Sequence, residues 1–146
     1  MITLLKIALG VATLSLVGAA PAPKQWQVRI LHKGPDGQMM VFLPARLTIA
    51  PGDSVKFIAV DKGHNAELIA GMAPAGAPGF KGAINQDIEV RFAQQGLYGY
   101  KCLPHLGLGM VGVIQVGNDA NRAALLQKAA TLPGIGKKRM LALLAG

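Results

Sequence analysis

Between Trp26 and Val116 the chain breaks into short runs in which apolar residues occupy every second position. Trp26, Val28 and Ile30 share one face, with Gln27, Arg29 and Leu31 on the other. Val41 and Phe42 precede Pro44, and Leu47 and Ile49 lead into Ala50-Pro51-Gly52-Asp53. Val55, Phe57 and Ala59 alternate with Lys56, Ile58 and Val60, and Ile88, Val90 and Phe92 with Glu89 and Arg91. Gln95-Gly96 punctuates the chain before Leu97 to Lys101, and Val111 to Val116 closes the series. A period of two marks half-buried strands. Pro51-Gly52 is a turn signal, because proline presets one dihedral and glycine accepts a positive one. Many short strands punctuated this way predict a mainly β protein, an antiparallel sandwich rather than a parallel sheet with crossover helices.

Two segments lack this pattern. Ala70 to Gly82 carries glycines and prolines with no sustained period and reads as a surface connection. After Val116 the period lengthens. Asn118-Asp119 offers a cap for a helix from Ala120 to Ala130, with Ala124, Leu125 and Lys128 at helical spacing. Leu132-Pro133-Gly134-Ile135-Gly136 interrupts it, and Lys137 to Ala145 forms a second helix with Met140, Leu141 and Leu144 on one face.

The start of the chain has a different character. Lys6 is its only charge, an apolar run from Ile7 to Val17 follows, and Gly18, Ala19 and Ala20 come next. This is the order of a secretory signal peptide, and the apolar run is shorter than the roughly 20 residues that span a bilayer. The predicted organisation is a leader over 1–20, cleaved between 19 and 22, a sandwich domain over 21–117, and a helical hairpin over 118–146 packed on the sandwich.

Length and charge add two constraints. With 146 residues the chain is long enough for one domain with a real core. The formal charge is +8, and its distribution is uneven. Nine lysines and arginines face six acids between Ala20 and Val116, whereas five face Asp119 alone from Gly117 onward. A basic surface favours an acidic partner, but sign alone does not choose among protein, nucleic acid and membrane.

The candidate chemistry lies in Tyr100-Lys101-Cys102-Leu103-Pro104-His105-Leu106-Gly107-Leu108-Gly109-Met110. Cys102 is the only cysteine, so an exported chain has no internal disulfide to make with it, and a free exposed thiol would be open to oxidation. His64 lies upstream in Asp61-Lys62-Gly63-His64-Asn65. Two imidazoles and a thiolate in a trigonal set, with a weak axial methionine, are the ligands of a blue-copper electron-transfer centre. The candidate ligands are therefore His64, Cys102, His105 and Met110. Met110 is preferred to Met39, Met40 and Met72 because it shares a loop with two other ligands. A structural zinc site usually takes four cysteine or histidine ligands, and this chain has one cysteine and three histidines. The third, His32, sits on an early strand at a parity that assigns it no role. A catalytic Cys-His pair needs an exposed, activated thiol, whereas the alternation Tyr98, Tyr100, Cys102 turns the sulfur inward.

These residues carry a specific resemblance. Val60-Asp61-Lys62-Gly63-His64-Asn65, Leu97-Tyr98-Gly99-Tyr100-Lys101-Cys102, Pro104-His105 and Gly109-Met110-Val111-Gly112 resemble the cupredoxins, and among them the pseudoazurin group. Met40-Val41-Phe42-x-Pro44 and Pro51-Gly52-Asp53 match as well, so the similarity runs from about Gln27 to Gly117, and the helical tail suits the same group. The resemblance implies a Greek-key β-sandwich of about eight strands with copper at one end, and two short C-terminal helices. It implies a periplasmic, monomeric electron carrier with one type 1 copper ion, serving redox partners such as a copper nitrite reductase of denitrification. It also implies supporting roles for Asn65, whose amide contacts the sulfur, for Met40, beside the His105 ring, and for Pro104. Leu103, Leu106 and Leu108 depart from the group's usual residues.

Leu103, Pro104, Leu106 and Leu108 are expected to form an apolar docking patch around His105, with Lys62, Lys81 and Lys101 at its rim and an acidic partner opposite. Four ligands would close the metal site, leaving no position for substrate, so no enzyme is expected. A copper carrier or storage protein is the alternative, although an exchangeable site would have fewer ligands. Leu132-Pro133-Gly134-Ile135-Gly136-Lys137-Lys138-Arg139 also resembles the hairpin of helix-hairpin-helix DNA-binding modules, whose backbone amides hold a phosphate. Export and the single copy weigh against it, and no nucleic-acid or membrane partner is expected.

Overall fold

The computed structural model describes residues 13–146. Most of the expected leader, residues 1–12, lies outside them, and 13–24 carry no helix or strand. Eight strands follow: β1 (Gln25–Lys33), β2 (Met39–Leu43), β3 (Arg46–Ile49), β4 (Ser54–Ala59), β5 (Glu67–Leu68), β6 (Ile88–Arg91), β7 (Gly96–Lys101) and β8 (Val111–Val116). Two helices, α1 (Arg122–Ala129) and α2 (Gly134–Ala145), complete the chain. Among the described residues no helix is long and apolar enough to cross a membrane.

The strands form two four-stranded sheets, ordered β2-β1-β4-β6 and β3-β8-β7-β5. Their facing sides bury the alternate residues seen in the sequence: Val28, Ile30, Phe42, Val55, Phe57, Tyr98, Tyr100, Ile114 and Val116. Tyr100 anchors this layer, its ring edge-on to Phe42 at 4.7 Å and to Phe57 at 5.0 Å. Each fully buried large side chain contributes about 1.5–3 kcal/mol.

The sandwich is not purely antiparallel, contrary to the expectation from sequence. β1 pairs parallel with β4, and β3 with β8, while the other named pairs are antiparallel. The chain crosses from one sheet to the other between β2 and β3 and back between β3 and β4, so the strands it joins need not be neighbours. Alternation reports which face is buried and carries no information on direction.

The second sheet has a further apolar layer outside it. Leu97, Val111 and Val113 on its outer face meet Leu125 and Ala129 of α1 and Met140 and Leu144 of α2. β7 is consequently buried on both faces. Ala70 to Gly82 differs from the expected surface connection, because it brings Met72 into this second layer beside Ile69. Met72 is fully buried, and Gly99 of β7 donates its N–H to the Met72 carbonyl at 2.8 Å.

The tail differs in detail. α1 starts at Arg122, after Asn121 rather than Asn118-Asp119, and buries Leu125 and Ala129 while Ala124 and Lys128 stay exposed. The Asn121 side chain is spent elsewhere, clasping the Leu97 backbone N–H at 2.8 Å and carbonyl at 2.9 Å. α2 begins at Gly134, so Gly134-Ile135-Gly136 forms its first turn instead of a break. Leu132 is buried, whereas Ile135 is half exposed.

Candidate metal centre

β1, β4 and β7 all finish at the same end of the sandwich, and the segments leaving β4 and β7 supply the candidate ligands. Cys102 follows directly on β7, keeps extended backbone (φ −89°, ψ 124°), and donates its N–H to the Met110 carbonyl at 3.0 Å. That geometry continues the inward alternation of Tyr98 and Tyr100, and Cys102 is fully buried. A tight 3₁₀ segment, Leu103–Leu108, then begins with Pro104 in its first turn and is broken by the non-helical dihedrals of His105. Gly109 ends it in the left-handed region at φ +93°, where a side chain would be strained. The turn closes on itself: the Gly109 N–H reaches the Leu106 carbonyl at 3.0 Å and the Met110 N–H reaches that of His105 at 3.1 Å. Met110 is fully buried in the same core cluster as Cys102.

His64 comes from the opposite sheet, in the loop after β4. The Gly63 N–H donates to Asn85 Oδ1 at 2.6 Å and the Asn85 N–H to the His64 carbonyl at 2.9 Å. This pins the loop and buries the imidazole completely.

Three donor atoms converge there. His64 Nδ1 is 3.0 Å from His105 Nδ1, and the Cys102 sulfur is 3.6 Å from the first and 3.5 Å from the second. Bonds of about 2.0 Å to nitrogen and about 2.3 Å to sulfur place trigonal donors roughly 3.5 Å apart, so this set fits a single metal ion. With neither nitrogen protonated, the two facing ring nitrogens direct their lone pairs toward a common point, which suits a cation between them.

The electrostatics agree. Burial, reinforced by the neighbouring imidazoles of His105 and His32, holds His64 below the usual histidine range, in the neutral form that binds metal. Burial also pushes the Cys102 thiol up, opposed by backbone N–H groups of Asn65 and His105 directed at the sulfur. A buried thiol with a raised pKa is a poor nucleophile. A soft metal cation would supply the charge that makes it a thiolate.

The sulfur contact implied for Asn65 is therefore made by its backbone. Its side chain does other work: Oδ1 accepts the Leu103 N–H at 2.7 Å, while Nδ2 donates to Glu67 Oε2 and to the Gly82 carbonyl, both at 3.0 Å. Asn65 thus ties the His64 loop to the residue after Cys102. Met40 is half-buried with φ +56°, and Pro104 is exposed and starts the 3₁₀ turn.

Among the proposed docking residues, Lys62, Lys81, Leu103 and Leu108 are exposed. Two others differ from expectation. Lys101 is half-buried and ion-paired to buried Glu67 at 3.7 Å, because that carboxylate is held by Asn65 and needs a counter-charge. Leu106 packs against the helical layer rather than at the centre of a surface patch.

Three residues near the site had no assigned role from sequence. His32 Nδ1 lies 2.6 Å from His64 Nε2. Glu67 braces Asn65. Arg139, on α2, reaches the carbonyls of Met39, Met40 and Gly109, each at 3.0 Å. The lone acid between the His64-Asn65 pair and the apolar Leu68-Ile69 was a usable signal for Glu67. Nothing local marks His32 or Arg139, whose partners are 32 and 30 or more positions away. The tail motif that resembled a phosphate-binding hairpin is also explained here. Gly136 and Gly134 lie against the backbone of Leu106 and Gly107, where a Cβ would collide.

The sandwich with this buried His-Cys-His set defines a class. The chain belongs to the plastocyanin/azurin family of copper-binding proteins, whose family model matches residues 28–117. It is similar over most of its length to pseudoazurins. That of Paracoccus pantotrophus is 40% identical, covering 95% of this chain and 94% of that one. That of Methylorubrum extorquens is 46% identical over 73% of this chain and 74% of that one. The solved structure of the Sinorhizobium meliloti pseudoazurin superimposes with a TM-score of 0.80 at 43% identity, covering 84% of this chain and 94% of that one. Copper is accordingly the cofactor, and the protein is a copper electron carrier, not an enzyme.

Proposed function

We propose that this chain is a periplasmic shuttle that holds one type 1 copper ion through His64, Cys102, His105 and Met110 and passes single electrons to a denitrification enzyme such as a copper nitrite reductase. The observation that carries the reading is the buried convergence of two Nδ1 atoms and one sulfur within 4.8 Å. When bound there, copper supplies a one-electron couple. The chain does the rest. Two nitrogens and a soft sulfur suit neither oxidation state fully, so little has to rearrange when the electron moves. The loops from both sheets, tied by Asn65, hold those donors in place, and burial keeps water from the sulfur.

His105 is the candidate ligand that is only half-buried, and Leu103, Pro104 and Leu108 around it are exposed. An apolar centre permits close approach, and exposed Lys62 and Lys81 steer an acidic partner. Charge reversal tests the assignment. Lys62→Glu should slow the second-order reduction of copper nitrite reductase, and added salt should slow it in the wild type. Lys24→Glu should have little effect, since Lys24 precedes β1 at the far end of the sandwich, about 25 Å away at the rise of a strand. Equal effects from both reversals would mean that docking does not occur at the ligand end. The leader over 1–20 supports export, and cleavage between 19 and 22 is checked by mass spectrometry of the protein recovered from the periplasm.

A further inference from the structure

His64 has a second nitrogen, and the structure shows where it goes. With Nδ1 turned toward Cys102 and His105, Nε2 points the other way, to His32 Nδ1 at 2.6 Å. The two rings meet edge to face, with centroids 4.6 Å apart and planes at 73°. A metal-binding Nδ1 must present a lone pair, so the proton of a neutral His64 resides on Nε2. His64 is fully buried, and its Nε2–H needs an acceptor there. His32 Nδ1 is that acceptor, which fixes the proton of neutral His32 on its outer nitrogen.

His32 is itself held in place. It lies next to the end of β1, between Leu31 paired with Val41 and Lys33 paired with Met39. Its backbone N–H donates to Asp61 Oδ2 at 2.7 Å, and the Asp61 N–H returns to the Ile30 carbonyl at 3.3 Å. The end of β1 and the start of the His64 loop are thereby stitched together by two hydrogen bonds at Asp61.

We infer that His32 is a positioning residue for the metal centre, accepting the Nε2–H bond of His64 and so setting the tautomer, ring plane and donor strength of that ligand. It rests on the ligand assignment proposed above. A hydrogen bond accepted from the far nitrogen makes an imidazole a better donor, and removing such a partner typically costs about 10–100-fold in metal affinity. A stronger nitrogen donor favours copper(II), so His32 keeps the reduction potential lower than it would be without the bond. The residue type matters only for the acceptor it supplies: an amide oxygen serves, and a hydrocarbon does not.

The test compares His32→Leu and His32→Asn with the wild type. His32→Leu should fold, because the side chain is at the surface, yet bind copper about 10-fold or more weakly against a competing chelator and show a raised potential and an altered charge-transfer spectrum. His32→Asn should recover most of the affinity and spectrum. Long-range nitrogen–proton spectra of the metal-free protein should show His64 protonated at Nε2, with that proton protected from exchange in the wild type and exchanging freely in His32→Leu. Unchanged affinity, potential and spectrum in His32→Leu, or a His64 ring protonated at Nδ1 alone, would overturn the inference. A protein that takes up no copper but shows the protected Nε2 proton would sink the proposed function while leaving the His64–His32 hydrogen bond and the tautomer it sets standing.

Discussion

Arg139 of α2 donates to the carbonyl of Gly109, 30 residues earlier, at 3.0 Å, and the same Nη1 reaches Met39 and Met40. One guanidinium nitrogen therefore ties the helical tail to the end of the ligand turn and to the first residues of β2. Gly109 immediately precedes Met110, so the tail constrains the backbone from which the candidate axial ligand projects.

Replacing that cation should loosen the turn more than the sandwich. Arg139→Ala should cost about 2 kcal/mol, from lost charge-assisted hydrogen bonds, or roughly 6–10 °C in the thermal midpoint. Arg139→Lys should recover only part, because an ammonium lacks the planar fork. Differential scanning calorimetry checks both. A loss confined to stability, with the copper spectrum unchanged, would mean that the turn keeps its shape without the tail.

Cys102→Ser should abolish the intense colour of the oxidised, copper-loaded protein while leaving the far-ultraviolet circular dichroism of a folded sandwich. The sulfur-to-copper transition needs the thiolate, and the fold needs no disulfide from a chain with one cysteine. A colour that survives the substitution would place the chromophore elsewhere.

Met110→Gln should keep copper bound and lower the potential, since an oxygen donor favours copper(II). The comparison residue is Met72, buried against Gly99 in the layer beneath the helices. Met72→Gln should leave the potential alone but lower stability by about 3 kcal/mol, the cost of burying an unpaired amide. Voltammetry and urea denaturation separate the two outcomes.

Asp53 accepts the Lys24 N–H and the Trp26 indole N–H, both at 2.8 Å, and the Ala50 N–H at 3.1 Å. These donors, Lys24 first, hold its carboxyl below the usual aspartate range despite its burial. A carboxylate whose pKa is lower folded than unfolded stabilises fully above the unfolded value and loses that contribution as pH falls through the folded one. Stability should therefore fall below about pH 4. Asp53→Asn should be less stable at neutral pH and show a flatter acid limb in urea titrations at a series of pH values.

Much of this molecule could be read along the chain, and the failures have a common origin. The strands around Val28 and Val55 were visible because one face of each lies in the core, and alternation follows burial. The candidate ligands Cys102, His105 and Met110 were visible because one turn carries them. The parallel pairings were not, since period two is blind to direction. β5 was missed because two residues, Glu67–Leu68, are too few to alternate. The burial of Met72 and the outward position of Ile135 depend on the layer that α1 and α2 add to the second sheet, and no local pattern reports a third layer. His32 escaped for a related reason: its partner arrives from the loop after β4, 32 positions on.

The ligand donors come from both halves of the sandwich. His64 leaves β4 of one sheet, and His105, 41 residues later, belongs to the turn after β7 of the other. A metal ion joining them ties off that length of chain as a cross-link would, and by the loop-length rule for disulfides such a closure removes about 4 kcal/mol of freedom from the unfolded chain. The one thiol, Cys102, lies at the same point. Resistance to unfolding and to proteolysis would then follow metal supply, the loaded chain being tied across its two sheets at the proposed ligand end.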